Sequence, residues 1–408
     1  MSERVSFVLE WQERWEASQG RRTDMAELCR KHGVARQTGY KWLQRYRAAG
    51  DDVRALDDRS RRPHTNPRAI AEEMEDLVVA ARKRFPRWGP VLLRGWLVEK
   101  HPHVAIPSAR AIANVLRRRG LTASKRRRRS RGALAKIAPP FPECDGPNDV
   151  WCIDFKGWFR TADGQRCYPL TLLDGFSRFL LRCEALLEPN GREVELALDS
   201  AFREFGLPKR IRSDGGPPFF AARSPHSLSR LGVWLLQLGI VLECIAPAKP
   251  QQNGRLERFH RTLKLEVQPA GSVIEQQRAF DRFRRLYNFE RPHTALGLTP
   301  PWTIYRRSSR KYPCALLRVE WCPGHVELVD RAGFLRLKRA RIFIGEAFAN
   351  QSLRVLPSAG RCWDVCFGEI LLGEIDETRD PPFRPLRRPR GPMRLSFRDG
   401  EQPQRVPR

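Results

Sequence analysis

The sequence of 408 residues lacks the patterns of a secreted or membrane-spanning protein. It contains no apolar run of 18 residues, the length that suits a bilayer span, and no N-terminal signal pattern. Its ten cysteines include no CxxC pair, and the eight histidines show no zinc-finger spacing around them. Cys362 and Cys366 are candidate zinc ligands without a second pair, so free buried thiols in a reducing compartment are the favoured interpretation. We therefore expect a cytoplasmic or nucleoid-associated protein that makes no membrane contact.

Acidic residues are scarce beside basic ones. The chain has 46 Asp and Glu against 75 Lys and Arg, for a net charge of +29. This balance favours partners with phosphate backbones, bound in a salt-dependent way, over a membrane surface. Hydrophobic residues make up 41% of the chain, which is enough for folded domains. The length predicts two to four domains, because a single core rarely grows so large.

Residues 1–56 predict a helix-turn-helix DNA-binding domain. Thr23 and Asp24 are suited to cap a short helix that Gly33 ends, and a second helix is expected from about Ala35 to Ala48. The alternative is an ordinary two-helix hairpin with a solvated basic face. In a helix-turn-helix the start of the second helix presents side chains to the major groove, and the candidates there are Arg36, Gln37 and Lys41.

The segment 66–124 repeats this helical pattern more loosely and predicts a second helix-turn-helix-like domain. A basic, proline-containing linker follows at 125–147. It begins with a basic run that is usually a solvated arm, and contact with phosphates is its simplest use. Such an arm does not select a sequence unaided. The candidate DNA-binding residues in it are Lys125, Arg126, Arg127, Arg128 and Arg129.

Three further segments complete a fold class of multidomain α and α/β. Residues 148–305 have three antiparallel strand patterns followed by alternating helix and strand, which predicts an α/β domain with a mixed sheet. Residues 312–376 contain short strand patterns with regular turns and predict a small C-terminal β-barrel. Residues 377–408 are rich in proline and arginine and predict a basic disordered tail.

Three carboxylates of the α/β segment share contexts typical of phosphoryl transfer. Asp154 and Asp214 each end a strand pattern, and Glu257 lies just inside a helix pattern. Carboxylate oxygens are the ligands that Mg²⁺ prefers, and two ions about 4 Å apart promote in-line displacement at phosphorus. Each acid also has a purely structural explanation. Asp154 suits a strand end, Asp214 suits a turn, and Glu257 has the spacing of an ion pair with Arg261.

Five ordered stretches carry a resemblance to a known family. They are WCIDFKG at 151–157, LDGFSR at 173–178, RSDGGPPF at 212–219, PQQNGRLERFHRTLK at 250–264 and YNFERPH at 287–293. Together they resemble the DDE-type transposases and retroviral-like integrases, in particular bacterial insertion-sequence transposases of the IS481 and IS3 type. The resemblance implies a ribonuclease-H-like catalytic core over residues 148–305.

The resemblance also implies roles for individual residues. Asp154, Asp214 and Glu257 correspond to the metal-binding catalytic triad, which holds two Mg²⁺ ions and accepts Mn²⁺ in their place. Arg261 and Lys264 correspond to basic residues that touch DNA. Asp174 and His293 match recurrent residues outside the triad, and we expect both to be structural.

The sequence departs from the family pattern in three respects. Gly215 stands where such families often have Asn, a change that we expect to matter little because glycine adopts the same turn. The stretch between the second and third acids is longer than in integrases, and residues 220–227 are a candidate insertion. No His/Cys zinc module precedes the core, so recognition of DNA ends is expected to rest on the helical domains.

The hypothesis that follows is a bacterial transposase. It binds the terminal repeats of a mobile element and catalyses metal-dependent cleavage and strand transfer on double-stranded DNA, as a homo-oligomer on DNA. Two alternatives remain. A DNA-binding regulator with a defunct catalytic fold predicts a broken triad, and here all three acids are present. A plain ribonuclease-H-type nuclease explains the core but not the two helical domains.

Overall fold

The computed structural model describes residues 3–20, 24–58, 70–122, 141, 144–313, 325–389 and 391–396. The predicted phosphate-binding run Lys125–Arg129 lies outside these ranges. The chain divides into two compact units, Met1–Ile70 and Ala71–Arg408. Within the described ranges, no helix is both long enough and apolar enough to span a membrane.

The first unit is a three-helix arrangement that agrees with the predicted helix-turn-helix pattern. The helices are α1 (Glu3–Ala17), α2 (Met25–Lys31) and α3 (Arg36–Ala48). Asp24 caps α2 by accepting the N–H groups of Ala26 and Glu27. Gly39 lets α3 approach α1 and α2 closely, because a Cβ there would lie 2.7 Å from the Phe7 ring and 2.8 Å from the Cys29 sulfur.

The second unit begins with three more helices, α4 (Glu72–Arg84), α5 (Pro90–Lys100) and α6 (Ala109–Arg118). Glu75 of α4 pairs with Arg118 and Arg119 at the end of α6. Gly95 of α5 lies against the loop that follows the last core helix, because a Cβ there would be 3.1 Å from both Pro292 and Leu298. This helical segment therefore packs on the α/β core.

The core has the predicted mixed sheet with helices on both faces. Its elements are β1 (Val150–Phe155), β2 (Phe159–Arg160), β3 (Arg166–Asp174), β4 (Leu180–Leu186), α7 (Gly191–Phe205), β5 (Arg210–Ser213), α8 (Arg230–Gln237), β6 (Val241–Cys244), α9 (Gly254–Glu266) and α10 (Val273–Phe289). Strand β1 pairs antiparallel with β3 and parallel with β5, which pairs parallel with β6. Because β1 and β5 are parallel, their carboxyl ends lie at the same end of the sheet.

Alternation along β1 decides which face each side chain meets. Trp151 and Ile153 join the hydrophobic cluster that contains residues of α7 and α8. Val150 and Cys152 join the opposite cluster, built with residues of α9 and α10. The next side chain on this second face is Asp154, and it therefore lies on the side of α9.

The C-terminal strands do not close into the predicted barrel. They are β7 (His325–Leu328), β8 (Phe334–Leu337), β9 (Ala340–Phe343), β10 (Ser352–Pro357), β11 (Cys362–Phe367), β12 (Ile370–Asp376) and β13 (Phe383–Pro385). In the described part of the chain they form a five-stranded sheet in the order β13-β12-β11-β10-β7 and a separate β8-β9 hairpin. A barrel requires its first and last strands to pair, and here β7 and β13 remain at opposite edges.

Part of the predicted disordered tail is ordered. After β13 the chain returns to the catalytic sheet and adds β14 (Met393–Leu395), which pairs antiparallel with β6. Met393 and Leu395 are buried in the core cluster, and burial of these apolar side chains stabilises the segment. The proline- and arginine-rich composition does not reveal this contribution. The prediction of disorder was therefore wrong for this segment, while residues 397–408 lie outside the described ranges.

Candidate catalytic site

Asp154 lies near the end of β1, partly buried and close to other acids. Its main chain pairs with that of Thr171 on β3. Burial, together with the negative charges of Asp214 and Glu257, raises the pKa of the Asp154 carboxyl to about 7, although a backbone N–H from Phe155 opposes the rise. The carboxyl of Asp154 thus lies where additional negative charge is unfavourable.

Glu257 lies in the first turn of α9, where the helix separates its faces as predicted. Leu256, Phe259 and Leu263 are buried in the core cluster shared with β1. The exposed side chains on another face are Glu257, Arg261 and Lys264. Packing of the apolar stripe against the sheet therefore fixes the direction in which Glu257 points.

The structure brings two of the three predicted acids into one potential cation site and adds a histidine. Asp154, Glu257 and His260 each offer a ligand atom, and these atoms lie within 4.8 Å of one another. Asp214 is not part of that compact group. It is near enough for its charge to raise the pKa of Asp154, more strongly than the charge of Glu257 does.

His260 is the residue that sequence reasoning missed. Its Nε2 lies 2.7 Å from Thr171 Oγ1, and the same hydroxyl donates to the main-chain oxygen of Asp154 at 3.0 Å. Since the hydroxyl has one proton and gives it to the carbonyl, Nε2 must carry the N–H and Nδ1 keeps a free lone pair. Burial and the positive charge of Lys156 lower the pKa of His260 to about 3, so the ring is neutral. The spacing of three residues from Glu257 on one helix was the available signal.

Asp214 directly follows β5, and its carboxylate accepts the N–H of Gly216 at 3.3 Å. The strand beneath it is held by a buried carboxylate on β6. Glu243 is fully buried and pairs with Arg210 at 2.9 Å and Arg212 at 2.8 Å. These charge-assisted contacts tie β5 to β6 just before Asp214.

Asp174, at the other end of the same strand pair, has the structural role predicted for it. It is fully buried, and its Oδ1 accepts the N–H of Asn148 at 2.7 Å. Its Oδ2 accepts both the N–H and the hydroxyl of Ser177, at 2.8 and 2.6 Å. Burial raises the pKa of Asp174 against the lowering effect of these hydrogen bonds. His293 is likewise engaged in packing, with its ring 4.7 Å from that of Tyr287.

The predicted DNA-binding residues of the first unit are exposed on one helix. Arg36, Gln37 and Lys41 lie in the first two turns of α3. Nothing in the structure tests whether they contact DNA, so that role stays a prediction. The same holds for the basic side chains that share the exposed face of α9 with Glu257.

Comparison with known proteins identifies the core. Residues 145–250 and 238–301 match models described as integrase core domain, and residues 38–116 match a homeodomain-like domain. The chain is 30% identical over 193 residues to the insertion element IS407 31.7 kDa protein of Burkholderia multivorans. It is 31% identical over 159 residues to the insertion element IS476 39.2 kDa protein of Xanthomonas euvesicatoria. The chain therefore contains an integrase core and is similar to these proteins of bacterial insertion elements.

The matches cover only parts of these proteins. The alignment with the IS407 protein spans 47% of this chain and 66% of the relative, and the alignment with the IS476 protein spans 38% of this chain and 43% of the relative. Among solved structures, the chain is similar to the HTLV-2 integrase catalytic core domain in complex with magnesium. That alignment has 18% identity and a TM-score of 0.32, and it covers 40% of this chain and 100% of the other.

Proposed function

We propose that this chain is a transposase that binds the terminal repeats of a mobile DNA element and catalyses metal-dependent cleavage and strand transfer. The observation that carries the proposal is the meeting of Asp154, Glu257 and His260, beside Asp214, at one edge of an integrase core. The protein is proposed to act in the bacterial cytoplasm at the nucleoid, as a homo-oligomer that holds two element ends and a target duplex.

The donor atoms of this site fit a divalent cation that prefers oxygen. Burial, and then the negative charges of Asp214 and Glu257, raise the pKa of Asp154 to about 7. A bound cation would offset the repulsion between these charges, and Asp154, Asp214 and Glu257 would hold it. Mg²⁺ is the expected ion and Mn²⁺ its substitute, because both accept carboxylate ligands. Two such ions, when bound, supply activation of the attacking oxygen and stabilisation of the leaving oxygen.

Basic residues near the acids are proposed to bind the DNA. Arg261 and Lys264 follow Glu257 by one and two helical turns on an exposed face, where they would neutralise phosphates of the DNA end. Water first attacks a phosphodiester and frees a 3′-OH. That hydroxyl oxygen then attacks a target phosphodiester, and the target strand leaves with its own 3′-OH. No covalent bond between protein and DNA is needed at either step.

Selection of the element ends is assigned to the helical N-terminal region. Arg36, Gln37 and Lys41 on α3 are the proposed contacts to base edges. The run Lys125–Arg129 is the proposed phosphate contact between the helical region and the core. Phosphate contacts position the DNA, whereas base contacts select it.

A strand-transfer assay tests the proposal. Duplexes carrying the ends of the element are incubated with full-length protein, a target plasmid and Mg²⁺ or Mn²⁺. Joined product is expected from the wild type and from Glu195→Gln, which alters an exposed carboxylate on α7. No joined product is expected from Asp154→Asn, Asp214→Asn or Glu257→Gln, although each should still bind the ends.

Other outcomes would overturn the proposal in distinct ways. Normal joining by Asp214→Asn would remove the assignment of the site. Hydrolysed ends without joined strands would favour a plain nuclease. Binding without any cleavage by the wild type would favour a regulator that keeps a defunct catalytic fold.

A further inference from the structure

The backbone conformation at position 215 does not require glycine. The residue follows Asp214, and its φ angle is outside the left-handed region that favours glycine. Space is what restricts the position. A Cβ built on Gly215 would lie 2.7 Å from Nη2 and 2.9 Å from Cζ of Arg388, and nearer still to Nη1. The absent side chain therefore admits a guanidinium group to the turn that bears the second catalytic acid.

Arg388 is held in that position by three contacts in the core. Its Nη2 donates to the main-chain oxygen of Ile245 at 3.1 Å. Its Cζ lies 5.3 Å from the centre of the Phe220 ring, a distance typical of a cation–π contact. Its positive charge also acts on the Cys244 thiol, where it opposes the rise in pKa that burial causes. Movement of the guanidinium away from an added Cβ would therefore break existing contacts.

The segment that carries Arg388 is anchored on both sides. Before it, β13 pairs with β12. The N–H of Leu386 donates to the main-chain oxygen of Leu372, and the oxygen of Leu386 accepts the N–H of His226. After it, β14 pairs with β6. The described part between these anchors thus lies across the ends of β5 and β6, where Asp214 and Ile245 leave the sheet.

Asp214 needs support from outside the sheet, because β5 ends at Ser213 and the turn beyond it has left the strand ladder. On the proposed transposase activity, we infer that Arg388 is a positioning residue for Asp214. Its guanidinium packs on Gly215, binds the end of β6 through Ile245, and so fixes the turn. Related families often have asparagine at this position. The glycine found here leaves the space that the Arg388 guanidinium requires.

The test is a double-mutant cycle on full-length protein with Gly215→Ala, Arg388→Ala and the combined variant. Each single change is expected to slow joining by about 10-fold or more, the scale of residues that orient metal ligands. The combined variant should be no slower than Arg388→Ala, because the alanine at 215 then meets an empty space. Apparent affinity for Mn²⁺, measured calorimetrically without turnover, should show the same non-additive pattern.

Arg387→Ala is the matched control, since it removes an exposed arginine from the adjacent position. It should leave joining and Mn²⁺ affinity unchanged, and all variants should bind DNA ends normally and melt near the wild-type temperature. Independent, additive losses would overturn the inference, as would wild-type behaviour of Arg388→Ala. Loss of end binding by Arg388→Ala alone would make it a DNA contact instead. If the wild type joins no strands, the proposed function fails, and the Mn²⁺ cycle still decides the role of Arg388.

Discussion

Asp154 and Asp174 belong to the same antiparallel strand pair, yet their surroundings differ in kind. Asp174 faces Trp151 in the register of β1 and β3, and Asp154 faces Thr171 at the other end. Burial raises the pKa of both carboxyls. The carboxylate of Asp174 accepts hydrogen bonds from Asn148 and Ser177, whereas the carboxyl of Asp154 lies near the negative charges of Asp214 and Glu257.

The difference distinguishes a structural acid, Asp174, from the proposed metal ligand, Asp154. Hydrogen bonds from Asn148 and Ser177 satisfy Asp174 and tie down the turn after β3. Asp154 is placed by its neighbours at a cost, because burial and nearby charge both disfavour its ionised form. A bound cation would offset that cost, in keeping with the metal site proposed at this end of the strand pair. Changes at the two ends should therefore have opposite consequences.

Outside the three acids, the largest expected effect on joining is at His260, beside Asp154. His260→Ala removes the ring that contacts Thr171 and borders Asp154 and Glu257. We expect joining to slow by about 10–100-fold and the Mn²⁺ concentration needed for half-maximal rate to rise, as for groups that orient metal ligands. Single-turnover rates across a Mn²⁺ titration measure this. Thr171→Ser keeps the hydroxyl and should remain near wild type, and a uniform loss in both variants would contradict the account.

The next effect lies at Asp174 and concerns stability. Asp174→Asn places an amide N–H₂ where a carboxylate oxygen accepted hydrogen bonds in a buried site. The expected loss is about 1–3 kcal/mol in the free energy of unfolding, the cost of leaving buried polar groups unsatisfied. Urea denaturation measures it. The protein that stays folded should still join strands, and a variant of normal stability without activity would make Asp174 a member of the site.

A further effect on stability is a pH dependence at Asp154. The folded state raises the pKa of this carboxyl from 3.8 to about 7, so it binds the proton more tightly than the unfolded chain does. That contribution to stability is complete below about pH 4 and is lost as the pH rises to about 7. Without metal, Asp154→Asn should match the wild type near pH 4 and exceed its stability above pH 7. Urea denaturation at both pH values checks this, and lower stability of the variant at high pH would count against it.

Much of this arrangement could be predicted from short patterns. The alternation around Asp154 and the apolar stripe around Glu257 are local, so they indicated the correct strand, helix and faces. The resemblance of the surrounding stretches then joined the acids into one site. The resemblance also gave the expectation that Asp174 is structural.

Other features depend on contacts between distant segments. The spacing of His260 from Glu257 places both on neighbouring positions of α9, but the hydrogen bond between His260 and Thr171 joins residues 89 positions apart in the chain. The open C-terminal sheet and the return of β14 depend on which strand edges meet. Proline and arginine dominate the composition of this segment and indicated disorder. Its packing depends instead on two buried side chains, Met393 and Leu395, which composition does not distinguish.

The most direct test of the central claim is Mn²⁺ binding by the protein on an uncleavable DNA end, followed by electron paramagnetic resonance. The wild type should bind two ions, and Asp154→Asn should bind them at least about tenfold more weakly, because even the loss of a residue that only orients a metal ligand costs about 10–100-fold. Ser177→Ala, which removes one hydrogen bond from Asp174, should bind as the wild type does. Wild-type Mn²⁺ affinity in Asp154→Asn would contradict the account.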